Sequence, residues 1–125
     1  LGSSLFSAQL AAYLGMPFGF ASHFAPEMLF DALEIYRSTF RPSATLERPY
    51  AMVGCNVVCA DDDMAGDYLF TSAQLRSLGM QRGRRGPLPK PIAPVELEAM
   101  WTPAEKEGVE RMLAASAHGS PARAM

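Results

Sequence analysis

The stretch Leu1-Gly-Ser-Ser-Leu-Phe-Ser-Ala-Gln-Leu-Ala-Ala-Tyr-Leu-Gly-Met-Pro-Phe-Gly-Phe-Ala-Ser-His-Phe-Ala-Pro26 decides how the chain is read. A small-residue turn, Gly2-Ser3-Ser4, opens directly onto residues 4–14, which carry Ala8, Ala11 and Ala12 with Leu10 and Leu14. Those residues favour a helix, and the alanines let it pack close to a sheet. Gly15 is placed as a left-handed stop, and Pro17 cannot continue the helix. Residues 17–22 form an apolar run too short for a helix, which suits a strand buried on both faces. His23 stands at its C-terminal end. Pro26 then fits the first position of a second helix, with Glu27 favourable in the first turn. Leu29, Leu33, Tyr36 and Phe40 recur at three- and four-residue steps and give that helix one apolar face.

Further along, Pro42, Ser43 and Pro49 mark 41–49 as a connecting loop. Tyr50 to Ala60 reads as the strongest strand, nearly all apolar, as in the centre of a parallel sheet. Asp61, Asp62 and Asp63 supply a cap and first-turn acids for a helix near 62–79, which explains the acidic cluster without a metal. Residues 79–94 hold Gly79, Gly83, Gly86, Pro87, Pro89, Pro91 and Pro94 and leave no room for regular structure. Arg82, Arg84 and Arg85 add a basic patch there, either a solvated loop or a flap with an anion contact. Thr102-Pro-Ala-Glu105 is a capping box with Pro at the first helical position, predicting a helix to about Ser116. Ser120-Pro121 looks like another helix start. Alternating helices and strands argue for a parallel α/β sheet. Only two full strands are expected, and a self-contained open α/β domain would show more.

Composition narrows the function classes. The 125 residues fit one ordinary domain, and 49% apolar content is enough for a core. A net charge of −2 gives no large field to attract nucleic acid or a membrane surface. No apolar run approaches the ~20 residues of a bilayer span. No basic, apolar leader is visible, so the expectation is a cytoplasmic protein. The first residue is Leu, inside what reads as the end of a strand, which suggests a fragment. Cys55 and Cys59 lie ~13 Å apart if both sit in one strand, too far for a disulfide. They are expected to be buried structural thiols in a reducing compartment.

Several residues carry chemistry. Backbone N–H groups and serine hydroxyls at the Gly2-Ser3-Ser4 helix start make a seat for a phosphate. Ser4 and Ser7 lie three apart, so a helix start brings both toward one side. Plain N-capping by serine accounts for the same residues. Asn56 is polar inside an apolar run, and burying an unpaired amide costs ~1–3 kcal/mol, so a hydrogen-bonded role is expected. Trp101 and the methionines read as packing residues.

These motifs together resemble the C-terminal half of a bacterial luciferase-like flavin monooxygenase, a broad family of TIM-barrel oxidoreductases using FMN or a deazaflavin. Residues 1–18 resemble the family's fifth strand end, the following helix and the sixth strand, and Phe20-Ala-Ser-His-Phe-Ala-Pro26 resembles a signature of one bacterial subgroup. Arg48-Pro-Tyr-Ala-Met-Val-Gly, with Asn56-Val-Val and Ala60-Asp, resembles the seventh strand and a helix start. Gly119-Ser-Pro121 is similar to the turn before the last helix and strand. The resemblance covers essentially the whole chain and implies an α/β fold, a partial (β/α)₈ barrel. A complete one needs ~250 residues. Strands five to seven would be present, the first four and the eighth absent. The segment 79–116, irregular over 79–101, would be an insertion.

The resemblance places Gly2, Ser3, Ser4 and Ser7 at the flavin phosphate. It places Ser22 and His23 in the flavin or substrate pocket, because the carboxyl ends of barrel strands face the active site. It implies an FMN-dependent monooxygenase using reduced flavin and O2 on a small organic substrate. Its partners would be a flavin reductase and, for the complete protein, further copies in a homo-oligomer. It assigns no catalytic residue in this half. The reading of a different class is a non-catalytic flavin-binding or interaction remnant, suggested by open sheet edges.

Overall fold

A computed structural model describes residues 1–125. The chain divides into two compact units, Leu1–Cys55 and Asn56–Met125, each with its own short parallel sheet.

The first unit begins with Gly2 bridged in parallel to Phe20. Helix α1 (Leu5–Tyr13) follows, then β1 (Phe18–Phe20), a 3₁₀ turn (Pro26–Met28), α2 (Leu29–Thr39) and β2 (Ala51–Val53). Gly15 ends α1 in the left-handed region, φ 62°, as expected. β1 pairs in parallel with β2, Phe18 opposite Ala51 and Phe20 opposite Val53. The Gly2 N–H donates to Gly19 O (2.9 Å) and the Ala21 N–H to Gly2 O (2.8 Å), so β1 is flanked on both sides. The core is Ala8 and Ala12 of α1, Phe18 and Phe20 of β1, and Ala32 and Tyr36 of α2. The α1 alanines do let it pack close, as their size suggests. On α2 the face turned inward is centred on Ala32 and Tyr36, with Leu29, Ile35 and Phe40 at its margin. Tyr36 stands fully buried between Phe18 and Phe40, with ring centroids 5.3 and 5.6 Å away. Its hydroxyl donates to Met16 O (2.7 Å) and accepts from the Tyr50 N–H (3.1 Å), tying the entries of β1 and β2 to one side chain.

The second unit runs β3 (Asn56–Cys59), α3 (Asp63–Gln81), α4 (Pro94–Glu98), α5 (Pro103–Met112), β4 (Ser116–Gly119) and α6 (Pro121–Ala124). β3 and β4 are parallel, Asn56 opposite Ser116 and Cys59 opposite Gly119. Asp62 caps α3 by accepting the Ala65 N–H at 2.8 Å, the role expected of the aspartate cluster. Thr102 and Glu105 close the capping box at α5 with Pro103 at the first position. Leu78, Leu97 and Val109 form the core, with Trp101 packed at its edge. Helix α4 interrupts the stretch expected to be wholly irregular.

Further expectations are corrected. The apolar run Tyr50 to Ala60 is not one strand. It breaks at Gly54 and Cys55 into β2 and β3, which belong to different sheets. Gly54 is the reason: its N–H donates to Phe20 O (3.2 Å), while its carbonyl accepts the Ser22 hydroxyl instead of a ladder amide. Nor is the run buried, since Met52, Val53 and Val57 are each more than half exposed. Both cysteines are exposed rather than buried. Finally, the helix expected to reach Ser116 ends at Met112, and Ser116–Gly119 is a strand. Pairing with β3 overrides the helical tendency of an alanine-rich segment there. No helix of the chain is long and apolar enough to cross a membrane.

Candidate functional site

Parallel strands send all their carboxyl ends to one edge of a sheet, and ligands of α/β proteins gather there. In the first unit that edge is made by three segments: Gly2 leading into α1, β1 leading into Ser22 and His23, and β2 leading into Gly54.

The Gly2–Ser7 turn is built tightly. Ser4 is the N-cap of α1 with extended backbone, φ −136° and ψ 161°. Its hydroxyl accepts the Ser7 N–H (3.2 Å), and the Ser7 hydroxyl accepts the Ser4 N–H (3.3 Å) while donating to Ser4 O (2.7 Å). This is a reciprocal capping box with serine in both roles. A Cβ at Gly2 would collide with the Ser7 side chain, so only glycine lets the strand end approach the cap. The N–H groups of Leu5 and Phe6 head the helix without a carbonyl one turn back to receive them. Beside Ser3, they stand as backbone donors at the positive end of a nine-residue helix. The capping role and the phosphate role are therefore compatible, because the cap consumes the Ser7 N–H and leaves the first two amides.

Ser22 and His23 separate in kind. Ser22 is fully buried, and its hydroxyl donates to Gly54 O at 2.5 Å, clamping the ends of β1 and β2 together. His23 is exposed, its ring tilted 48° against Phe24 at 5.9 Å and lying directly over Gly54. A Cβ on Gly54 would come within 2.5 Å of His23 Nδ1. Gly54 is thus the residue missed by sequence reasoning: it receives Ser22 and seats His23. A lone glycine inside an apolar run is the signal that marks it, since such a glycine records close approach by another group.

In the second unit, the carboxyl ends of β3 and β4 lead into Asp62–Asp63 and Ser120. Asp63 Oδ1 accepts the Ser120 N–H (2.8 Å), holding its carboxyl below the usual range. His118 of β4 stacks flat on Phe70, 4.1 Å between centroids, with Nδ1 2.8 Å from Asp67 Oδ1. Arg123 pairs with the same carboxylate and donates to His118 O (3.0 Å). Asp67 is pushed down chiefly by the Arg123 hydrogen bond. Each polar group has a partner and β4 is locked to α3, so the cluster reads as structure. Asn56, the other polar residue singled out, is half-buried with Nδ2 3.5 Å from Ser116 Oγ, across the β3–β4 pair. No group of three or more acidic, histidine or cysteine side chains is arranged to hold a metal.

A parallel α/β architecture with loops leading off the carboxyl ends of its strands defines a class of proteins whose ligands gather at strand ends. Within that class, the chain belongs with the luciferase-like monooxygenases. It is 53% identical over 123 residues to "Luciferase-like monooxygenase" of Escherichia coli (strain K12), covering 98% of this chain and 36% of the relative. The "Uncharacterized protein YvbT" of Bacillus subtilis (strain 168) is 43% identical over 121 residues, 97% of this chain and 35% of the relative. The crystal structure of apo-MsnO8 superposes with a TM-score of 0.77 at 28% identity, over 98% of this chain and 37% of that one. The chain therefore spans about a third of the length of these relatives. No family model matches it.

Proposed function

We propose that the protein is part of a flavin-dependent monooxygenase that acts on a small organic molecule with reduced flavin and O2. A match to a luciferase-like monooxygenase over 98% of this chain, and 36% of the relative, supports the class. The observation that carries the local reading is the Gly2–Ser7 cradle on the carboxyl edge of parallel segments. A phosphate fits there. Ser3 and the hydroxyl of Ser4 reach it from the turn, the Leu5 and Phe6 amides donate from the helix start, and Gly2 keeps the approach clear. FMN is the flavin proposed, and a deazaflavin carrying a phosphate meets the same cradle. Reduced flavin supplies the reaction with O2; the protein's part is to hold it, orient it and keep water away. His23, exposed beside Gly54 on the same edge, is proposed to line the flavin or substrate pocket. Ser22 is proposed to act by fixing the backbone beneath that pocket. The sheet is proposed to be a sector of a (β/α)₈ barrel, with the whole protein cytoplasmic, homo-oligomeric and supplied by a flavin reductase.

A second reading rests on a separate observation. Large apolar side chains, among them Phe6, Phe30 and Met64, stand exposed, as in a surface that associates. A non-catalytic remnant that binds flavin weakly or binds another chain would use them.

The two are separated by titrating FMN and riboflavin into this chain, and into the E. coli relative with its matching segment replaced by this chain. Ser4→Asp keeps a good N-cap but sets a negative charge in the cradle. The expected result is that FMN binds tighter than riboflavin by about tenfold or more, the yield of charge-assisted hydrogen bonds. Ser4→Asp should erase that margin while far-ultraviolet circular dichroism stays unchanged. Equal binding of FMN and riboflavin in both proteins would remove the cradle from the flavin site. No flavin binding in either would favour the remnant.

A further inference from the structure

The second unit holds a cavity of about 530 Å³, within the size range of small-molecule sites. It lies between the C-terminal half of α3 and the loop after it, and its lining includes Leu75, Leu78, Pro87, Pro89 and Met100. Four arginines line it as well, Arg76, Arg82, Arg84 and Arg85, and no aspartate or glutamate does. Only Arg82 is neutralised. Its Nε and one terminal amine grip Glu105 at 2.6 and 3.0 Å, and the amine also donates to Met100 O at 2.7 Å. Arg82 thus pins the rim at Met100, and its charge is answered from outside the cavity. Arg76, Arg84 and Arg85 make no ion pair. The loop is turned back by Gly83 at φ 73° and held by the Arg84 N–H on Gly79 O at 2.7 Å, which brings Arg84 and Arg85 to the mouth.

We propose that this cavity is a binding site for a phosphomonoester with a compact apolar or aromatic body. Three uncompensated guanidinium groups exceed what one carboxylate neutralises and suit a dianion, and the planar fork of arginine matches phosphate oxygens two at a time. The leucines, prolines and Met100 suit the body of the ligand, which distinguishes the site from a purely electrostatic patch. It shares no residue with the cradle at Gly2–Ser7 and stands independently of the flavin reading.

Equilibrium dialysis of phenyl phosphate against the 125-residue chain tests it, with inorganic phosphate and phenol as comparators. The expected result is saturable uptake of one equivalent of phenyl phosphate, at least tenfold tighter than either comparator. The Arg84→Ala, Arg85→Ala double variant should weaken it by about tenfold or more, as loss of charge-assisted hydrogen bonds does. Both side chains are exposed and unpaired, so the variant should melt with the parent chain. Arg48→Ala removes an exposed arginine of the first unit and should leave uptake unchanged. Trp101, the single tryptophan, packs against the same core as the lining residue Leu78 and should report binding by a change in fluorescence. Absence of saturable uptake overturns the proposal. So does uptake that survives the double variant, falls equally in Arg48→Ala, or is matched by inorganic phosphate or phenol.

Discussion

Tyr36 shows how much one buried polar atom organises. Its ring fills the space between Phe18 and Phe40, and its hydroxyl serves a carbonyl and an amide from two different connections. Tyr36→Phe keeps the ring and strands both partners, so a loss of about 1–3 kcal/mol in unfolding free energy is expected by urea denaturation. Amide exchange should quicken at Tyr50 first. Glu105 gives a pH-dependent counterpart. The Arg82 hydrogen bond, then the Thr102 amide, hold its carboxyl down to about 2 from an ordinary 4.5. The unfolded chain therefore takes up this proton before the folded chain does. The stabilisation is present in full above about pH 4.5 and disappears as pH falls through about 2. Thermal melts across that window should show a shallower pH slope for Glu105→Gln than for the parent chain. The pair is partly exposed, so added salt should reduce the difference.

At the scale of elements, caps were the most legible signals. Asp62, Thr102 with Glu105, and Pro121 each sit where a side chain or missing amide physically defines a helix start, and each helix begins there. Thr102→Ala should cost about 0.5–2 kcal/mol, read as a lower denaturation midpoint with α5 helicity reduced. Strands were less legible. Nothing in Ser116-Ala-His-Gly favours extension, because its partner β3 lies sixty residues back and does the selecting. The break between β2 and β3 was written in Gly54, yet apolar neighbours on both sides masked it. For the candidate site, the sequence located the Gly2–Ser7 turn but could not rank capping against ligand binding, since the same hydroxyls suit both. It placed Ser22 and His23 together, whereas strand geometry turns Ser22 inward to Gly54 and leaves His23 outside.

Across the whole chain, two cores of different make-up coexist. One is aromatic and alanine-rich, around Tyr36; the other is aliphatic, around Leu97 and Val109. Leu97→Ala should cost about 2–5 kcal/mol and be sensed by Trp101 fluorescence during unfolding. Hydrogen exchange in that variant should accelerate across the second unit and much less around Tyr36. Short two-stranded sheets with exposed Met52, Val53 and Val57 are marginal on their own. Sedimentation of the isolated chain should therefore show concentration-dependent association, with a lone monomer at high micromolar concentration as the contrary result.

The parallel pairing of β3 with β4 also has a consequence during translation. A hairpin strand meets its neighbour within a few residues, whereas Asn56 must wait for Ser116, sixty positions later. At roughly 5–20 residues per second of ribosomal elongation, that is on the order of 3–12 seconds. Throughout that interval Val57 and Val58 have left the ribosome without their partner strand. The nascent polypeptide thus offers holdase chaperones a hydrophobic target whose lifetime is set by codon usage between β3 and β4. Slowing those codons should lower soluble yield without altering a single amino acid.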